Sequence, residues 1–329
     1  MAQVAPDIID ENAPSRGPAR EEIEAIARTP VGMFWDRFRG DRVAITGAIV
    51  IVLLALIALT APFLAHQLSG RGPNDLTLAR EMTDEFGLPR GPNAEYWFGA
   101  DKAGRDLFVR VLYGARTSLL VALIATSISV AVGVSLGITA GYYGGPIDTF
   151  ISRTIDIILS LPLLLFAIGI SAACSTTKDG CLGGRIKPGL GLVIFIIAVF
   201  SWPYVARIVR GNTLSLRERE FIDASRALGA SGRRIMFKEI LPNLIAPIIV
   251  YATLIIPQNI VFEAALSYLG IGVPPHTPSW GRMLADATRL LDVAPWLMIF
   301  PALFLILTTL AFSLLGDGLR DALDPKTAT

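Results

Sequence analysis

Cysteine and histidine, the side chains most used as nucleophiles, bases and zinc ligands, are rare in this sequence. It has two cysteines, Cys174 and Cys181, and two histidines, His66 and His276. In an oxidising compartment, a disulfide between the cysteines would close a small loop and stabilise the fold by roughly 2–3 kcal/mol. Two unrelated free thiols are the alternative. A metal site is not expected, because neither histidine lies near the cysteines in the sequence.

Motifs for nucleotide hydrolysis or covalent catalysis are absent from the sequence. It contains no Gly-Lys dipeptide, so it lacks a phosphate-binding loop of the G-x-x-x-x-G-K-[ST] kind. No Ser, His and Asp residues fall at a depth in the predicted membrane fold where they could form a catalytic triad. We therefore expect that this chain is not an enzyme and binds no cofactor.

The elements that must hold these residues are long and apolar. Hydrophobic residues make up 53% of the chain and charged residues only 17%, against ~25% charged residues in typical soluble domains. Six stretches without a charged residue are each long enough to cross ~30 Å of hydrocarbon as a helix. They are Val43–Ala65, Thr117–Ile147, Ile157–Thr177, Pro188–Ala206, Ile240–Phe262 and Val293–Gly316. The sequence predicts an all-α integral membrane protein with six transmembrane helices.

Basic residues before the first span predict the orientation in the membrane. Arg37, Arg39 and Arg42 directly precede this span, and the positive-inside rule then places both termini in the cytoplasm. The two cysteines fall on the outer side, which agrees with a disulfide. The predicted segments are a cytoplasmic tail with an interfacial segment (1–42), the first transmembrane helix (43–65), an extracytoplasmic loop (66–112), a five-helix core (113–320) with a cytoplasmic loop (207–242), and a C-terminal cytoplasmic tail (321–329).

Four ionisable residues lie near the ends of predicted spans, where charges are costly and usually mark ion pairs or transport paths. Asp148, Arg153 and Asp156 cluster where the third span begins, and Arg153 and Asp156 can pair across one helical turn. Glu263 lies near the outer end of the fifth span. We interpret the cluster as a clamp or a gate element, and Glu263 as a structural residue or part of a substrate path.

A polar stretch, EFIDASRALGASGRRIMFKEILP, separates the fourth and fifth spans. The segment SLREREFIDASRAL (215–228), which runs into it, is predicted to form a helix with Phe221, Ala224 and Leu228 on one face. Gly229 can end this helix in the left-handed conformation, and Ser231 can cap the next one. Small residues beside one aromatic side chain suit docking against a partner. An amphipathic helix lying on lipid headgroups is the alternative.

A short motif in this stretch points to a protein family. Asp223 begins the triplet Asp-Ala-Ser, Gly229 follows, and a Leu-Pro pair starts at Leu241. This order resembles the Glu-Ala-Ala loop of ATP-binding cassette importer permeases. Asp and Ser replace the first Glu and the second Ala, and Ile240 lies one position later than usual; both departures are similar to the peptide-importer branch.

The resemblance implies that this loop is the coupling helix, which sits in a groove of a cytoplasmic ATPase. The residues that it assigns to the contact are Phe221, Asp223, Ala224, Ser225, Arg226, Ala227, Leu228 and Gly229.

Three further stretches resemble the permeases for dipeptides, oligopeptides and nickel. They are WFGADKAGRDLFVRVLYGARTSL (97–119), LSYLGIGVPPHTPSWGRMLADA (266–287) and LLGDGLRDALDPK (314–326). The sequence is identified as a member of this family, as its second, or C-type, permease subunit with a MetI-like core.

Membership of this family implies a set of partners. These are a homologous B-type permease that completes the pore, two cytoplasmic ATPase subunits or domains that hold ATP and Mg²⁺, and an extracytoplasmic peptide-binding protein. The expected location is the bilayer of the bacterial inner membrane. A formal net charge of +1 gives no reason to expect nucleic acid.

Three other functions compete with peptide import. A nickel or other small-solute importer of the same family would have a similar sequence. A self-contained channel or ion-driven transporter should place ionisable residues near the middle of the membrane, whereas the six apolar runs lack charge. A receptor would bind its ligand with the outer loop, which is short and has no cysteines.

Overall fold

The computed structural model describes residues 30–176 and 189–323, and it is built from helices joined by turns and loops. We number the helices in chain order: α1 (Pro30–Gly40), α2 (Arg42–Ser69), α3 (Leu107–Tyr143), α4 (Gly145–Ser160), α5 (Leu163–Thr176), α6 (Leu190–Arg217), α7 (Glu220–Ala227), α8 (Gly232–Tyr268), α9 (Trp280–Ala287) and α10 (Trp296–Leu323). Within α8, residues Ile235–Ile240 form a π-helical turn. The all-α prediction is confirmed.

Within the described residues, five helices are long and apolar enough to cross a membrane: α2, α3, α6, α8 and α10. Helices α4 and α5 pass the same test only together, and the chain bends by 88° between them. The predicted count of six spans holds when this bent pair is counted as one span.

The third predicted span is therefore not one straight helix, contrary to the sequence analysis. Its residues begin within α4, and the chain breaks at Leu161 and Pro162. A proline disfavours helical dihedral angles in the residue before it and cannot donate a backbone hydrogen bond itself. Leu161 accordingly adopts an extended conformation, with φ −79° and ψ 132°.

Helix α3 begins earlier than its charge-free run, and inside the predicted loop 66–112. Asp106 caps the helix by accepting hydrogen bonds from the backbone N–H groups of Phe108 (2.9 Å) and Val109 (3.4 Å). The first turns of α3 contain Arg110, which belongs to the outer loop's network of contacts described below. The loop before α3 therefore ends at Asp106 and not at residue 112 as predicted.

The centre of the bundle is the packing of α3 against α6. Gly133, Gly137 and Gly141 recur every four residues on the α3 face that meets α6. A Cβ atom on them would lie 2.6, 2.7 and 2.7 Å from atoms of Val205, Ala206 and Thr213, respectively. Only glycine allows this approach of the two backbones, as in other small-residue helix interfaces in membranes.

Two hydrophobic clusters lie at opposite ends of the bundle. At the predicted outer end, the fully buried Trp280 packs with side chains of α2, α3, α8 and α10. At the predicted cytoplasmic end, Ile222 of α7 packs with side chains of α3, α6 and α8. The short helices α7 and α9 are thus each attached to the spans by buried apolar contacts.

Candidate functional site

Helix α7 lies between two sharp changes of chain direction. Helix α6 ends at Arg217, and Arg219 has an extended backbone with φ −84° and ψ 144°, so α7 starts as a separate helix at Glu220. The predicted helix began several residues earlier, within a stretch that the structure assigns to the end of α6. The predicted helix, turn and second helix are otherwise present.

The turn after α7 requires glycine. Gly229 has φ +79°, its N–H donates to Arg226 O (2.9 Å), and the N–H of Ala230 donates to Ser225 O (3.0 Å). This pair of bonds is the Schellman motif, which satisfies the last carbonyl groups of a helix. Ser231 then caps α8 by accepting from the N–H of Arg234 at 3.4 Å. The predicted left-handed glycine and serine cap are confirmed.

The outward face of α7 is small and apolar, and the described residues do not cover it. Phe221 is 40% exposed and Leu228 is 88% exposed, and Ala224 is exposed between them. These residues are spaced i, i+3 and i+7, so they lie on one helical face. No described atom would lie within 4 Å of a Cβ atom on Gly229. A partner surface can therefore approach the backbone at this turn.

Charged residues flank this face without covering it. Asp223 and Arg226 form an exposed ion pair at 3.0 Å, and the guanidinium group of Arg226 lies 5.8 Å from the ring centroid of Tyr142. Ala227 is exposed and Ser225 is half-buried. All eight residues predicted for the ATPase contact thus lie in α7 or in the turn that directly follows it.

The residues that anchor α7 were missed in the sequence analysis. Ile222 is fully buried, and Arg217 donates to the carbonyl groups of Gly141 and Tyr142, at 3.3 Å each. These bonds tie the end of α6 to the end of α3. The apolar Ile222 beside Phe221 was a signal for the inward face, but the contacts with Tyr142 depend on tertiary structure.

The ionisable cluster of α4 forms two ion pairs with α6. Asp148 binds Arg210 through both carboxylate oxygens, and it also accepts a hydrogen bond from Ser152 at 3.2 Å. Asp156 binds Arg207 at 2.8 Å. The predicted pair between Arg153 and Asp156 is wrong, because Arg207 from the neighbouring helix reaches Asp156 instead.

Arg153 is exposed and belongs to none of the ion pairs among the described residues. The two pairs of Asp148 and Asp156 link α4 to α6, as a clamp would. Whether they also act as a gate stays a prediction.

Glu263 is fully buried and surrounded by serine hydroxyl groups. Ser118 donates to one carboxylate oxygen at 2.8 Å and Ser267 to the other at 2.7 Å. Ser118 also accepts from the N–H of Trp280 at 3.4 Å, and Ser267 from the N–H of Val273 at 3.1 Å. Glu263 therefore connects α3, α8 and the loop before α9, an arrangement that fits a structural role.

The predicted disulfide lies only partly within the described residues. Cys174 is fully buried near the end of α5 and is disulfide-bonded. Cys181 lies outside the described residues, so its pairing with Cys174 stays a prediction. Within residues 30–176 and 189–323, no group of three or more His, Cys, Asp or Glu side chains is placed to hold a metal ion.

The predicted extracytoplasmic loop (66–112), which we call the outer loop, contains a buried charge network that gives no signal in the sequence. Arg110 is 1% exposed, its Nε lies 3.2 Å from Asp101 Oδ2, and it donates to Pro73 O (3.0 Å) and Asn74 Oδ1 (3.1 Å). Arg105 binds the same Asp101 oxygen at 2.7 Å. Residues 73–74 and 101–110 are thus held together by the ion pairs of Asp101 and by hydrogen bonds from Arg110.

The same loop is attached to the segment around α9. Asn74 donates to His276 O at 2.8 Å, Lys102 binds Asp286 at 2.8 Å, and the ring of Phe98 stacks on Phe300 with centroids 3.9 Å apart. Burial raises the pKa of the Asp106 carboxyl group, which nevertheless caps α3 and lies 3.5 Å from Arg71. The outer loop forms an ordered layer over this end of the bundle.

Two family models match this chain. Residues 133–329 match the model described as "binding-protein-dependent transport system inner membrane component". Residues 29–79 match the model described as "N-terminal TM domain of oligopeptide transport permease C".

Curated relatives extend the match to most of the chain. The glutathione transport system permease proteins GsiD of Escherichia coli O6:K15:H31 (strain 536 / UPEC) and of Shigella boydii serotype 4 (strain Sb227) are each 42% identical over 299 residues, covering 91% of this chain and 91% of the relative.

Solved structures agree with the fold. An inward-facing structure of the MetNI methionine ABC transporter, in its CY5 native crystal form, superposes with a TM-score of 0.53 at 20% identity and covers 66% of this chain and 97% of its own. The CY5 SeMet soak crystal form gives a TM-score of 0.52 at 20% identity.

Proposed function

Because this chain belongs to the family of binding-protein-dependent transport system inner membrane components, as a permease subunit of an ATP-binding cassette importer, we propose that it forms half of a pore that imports small peptides. A homologous B-type permease forms the other half. Peptide enters from an extracytoplasmic binding protein and leaves into the cytoplasm.

The proposed substrate class rests on the similarity to the glutathione permeases. At 42% identity over 91% of both chains, the similarity includes the outer loop and the helices that form the membrane bundle. Glutathione is itself a small peptide, and the N-terminal match is to oligopeptide permeases. Small peptides, glutathione among them, are therefore the proposed substrates.

Energy enters this chain at α7. Two ATPase subunits or domains hold ATP and Mg²⁺, and each docks a short helix of one permease in a groove on its surface. The exposed face of Phe221, Ala224 and Leu228, with the open turn at Gly229, supports this assignment. Closure of the ATPases on ATP moves α7 and its counterpart together, and the attached bundles rock between inward-open and outward-open states.

The orientation proposed here places both termini and α7 in the cytoplasm. It is supported by the arginines of α1, by the positive-inside rule and by the docking role of α7. The ordered layer formed by the outer loop then faces the binding protein or the partner permease. Removing residues 72–90 tests this part, since complex formation should weaken while the chain still inserts into the membrane. Unchanged uptake after this deletion would contradict the role of the layer.

Uptake assays test the proposed function directly. A strain lacking this chain should lose uptake of labelled glutathione, dipeptides or tripeptides, and regain it when the chain is restored. Labelled nickel belongs in the same experiment, because uptake of nickel alone would identify a metal importer of this family. Uptake that continues without ATP hydrolysis would instead indicate a channel or an ion-driven transporter.

A further inference from the structure

Two polar side chains are exposed on a membrane-spanning face of this chain. Tyr204 of α6 is 56% exposed, and Gln258 of α8 is also exposed. Both line a cleft between α6 and α8, next to the bend between α4 and α5. Tyr204 lies midway along α6, so this cleft is at membrane depth and not at a surface loop.

Lipid is a poor environment for this face. Among the described residues, the Gln258 side chain has no hydrogen-bond partner. An amide group transferred to hydrocarbon without such a partner is strongly destabilised, and polar side chains in spans face protein or water-filled cavities. The cleft must therefore be covered by water, by substrate or by another polar surface when the complex is assembled.

Polar groups continue from this cleft towards the predicted cytoplasmic end. Tyr204 and Arg207 are three residues apart on α6 and so lie on the same helical side. Arg207 binds Asp156 at 2.8 Å, and both side chains are more than half exposed, at 56% and 52%. Gln258, Tyr204, Arg207 and Asp156 form a line, which we call the polar stripe.

A buried hydrogen-bond network holds the two helices of the cleft in register. Ser201 of α6 donates to Asn259 Oδ1 at 2.8 Å, and Asn259 Nδ2 donates to Thr126 Oγ1 of α3 at 2.8 Å. Asn259 is 1% exposed and directly follows Gln258. The network fixes α6, α8 and α3 together, so the exposed Gln258 and Tyr204 are presented from a rigid support.

The chemistry of the stripe fits a peptide backbone. A glutamine amide and a tyrosine hydroxyl group each donate and accept hydrogen bonds, as a peptide's own amide groups do. Such contacts do not depend on the side chains of the substrate. The cleft has a volume of about 100 Å³, below the ~300 Å³ of a typical small-molecule site. A cleft of this size cannot enclose a peptide by itself, so the path needs a second wall, which the partner permease of the proposed pore would supply.

We infer that the polar stripe lines the substrate path and that Gln258 and Tyr204 bind the backbone amides of peptides in transit. This inference rests on the proposed function, because it assumes that the chain forms half of a peptide pore. It adds the position of the path within the chain and the class of group that the path recognises.

Water accessibility tests the position of the path. In the assembled complex in lipid vesicles, Gln258→Cys and Tyr204→Cys should react with a charged methanethiosulfonate reagent, relative to the parent chain treated in parallel. Leu303→Cys is the matched control on α10, where the native leucine is 55% exposed and apolar; it should react poorly. Equal and slow reaction at all three positions would overturn the inference.

Transport kinetics test the recognition. Gln258→Leu should slow ATP-driven peptide uptake about tenfold, the effect of losing one hydrogen bond to the substrate, while the ATPases still co-purify. Tyr204→Phe should have a smaller effect of the same kind, and Gln258→Asn should restore part of the rate. Wild-type rates in Gln258→Leu and Tyr204→Phe would reject the stripe alone, whereas a parent complex that transports no peptide would reject the proposed function.

Discussion

Gly104 in the outer loop and Gly229 after α7 have nearly the same positive φ angle, 78° and 79°, but opposite surroundings. A Cβ atom on Gly104 would lie 2.7 Å from Ala79 Cα, whereas one on Gly229 would meet no described atom within 4 Å. The outer turn is enclosed by its own chain. The α7 turn leaves space that a partner can fill.

The same contrast holds for charged residues at the two ends. The outer loop buries Arg110 against Asp101, while α7 leaves Asp223 and Arg226 exposed. Buried charges need their partners to remain in place, so the outer end is specified by internal contacts. The charged residues of α7 make few contacts within the chain, and the exposed face of α7 is available to a partner.

The largest effect is expected at the outer end, for Arg110→Met. This change leaves Arg105 as the only ion-pair partner of Asp101 among the described residues, and it removes the Arg110 hydrogen bonds to Pro73 and Asn74. The free energy of unfolding should therefore fall by about 3 kcal/mol. Thermal unfolding of the detergent-purified protein measures it. Lys102→Ala, which removes an ion pair whose lysine side chain is 46% exposed, is the control and should cost at most about 1 kcal/mol. Equal losses in both variants would mean that burial of Arg110 is unimportant.

Substitutions on the buried side and on the exposed side of α7 should have different effects. Ile222→Ala removes a fully buried side chain and should lower the free energy of unfolding by about 2 kcal/mol or more. Leu228→Ala should leave stability unchanged, because the native side chain is 88% exposed, but should weaken co-purification with the ATPases. Normal ATPase binding in Leu228→Ala would contradict the docking face.

The two glycines allow a matched comparison. Alanine at either position costs about 1 kcal/mol for the left-handed conformation, and at Gly104 roughly 1–3 kcal/mol more for the overlap with Ala79. Gly104→Ala should therefore lower the melting temperature clearly more than Gly229→Ala. Similar melting temperatures would show that the outer turn relaxes to accept a side chain.

Activity should depend more on Gly229 than on Gly104, the reverse of the order expected for stability. Gly229→Val adds a branched side chain at the open turn and should reduce substrate-stimulated ATPase activity of the reconstituted complex without unfolding the chain. If α7 lay on lipid headgroups instead, changes at Arg217, Arg219 and Arg226 would have the larger effect. Wild-type stimulation in Gly229→Val would refute the docking role.

The smallest effect is expected for Asp223→Ala. It removes an exposed i,i+3 ion pair, worth less than about 1 kcal/mol, so the melting temperature should not change measurably. ATPase binding should weaken less than in Gly229→Val. A loss of binding larger than that of Gly229→Val would mean that Asp223 contacts a basic residue of the ATPase directly.

Hydropathy and backbone chemistry predicted much of this fold. The apolar runs located the spans, and Gly229 and Ser231 located the turn after α7, because these features depend on residues close in sequence. The start of α3 was missed, since Arg110 and Arg116 fall within the helix and interrupt its apolar run.

Features that depend on tertiary contacts were not predictable in this way. Asp156 pairs with Arg207, 51 residues away, although Arg153 is its neighbour in sequence. Arg110 gave no local signal of burial, because its partners come from residues 73–101. The bend at Pro162 could have been anticipated from the proline, but its angle depends on how α4 and α5 pack against α6.

The glycine face between α3 and α6 determines which parts of the bundle move as one body. With backbones this close, sliding one helix along the other would bring α6 against α3 residues that, unlike these glycines, carry side chains. Helix α3 alone has 37 residues, or roughly 55 Å at 1.5 Å per residue. Arg217 ties its end to the end of α6, which α7 directly follows. We therefore expect the pair to move as one stiff body, so that a small displacement of α7 would tilt its far end at the opposite surface of the membrane.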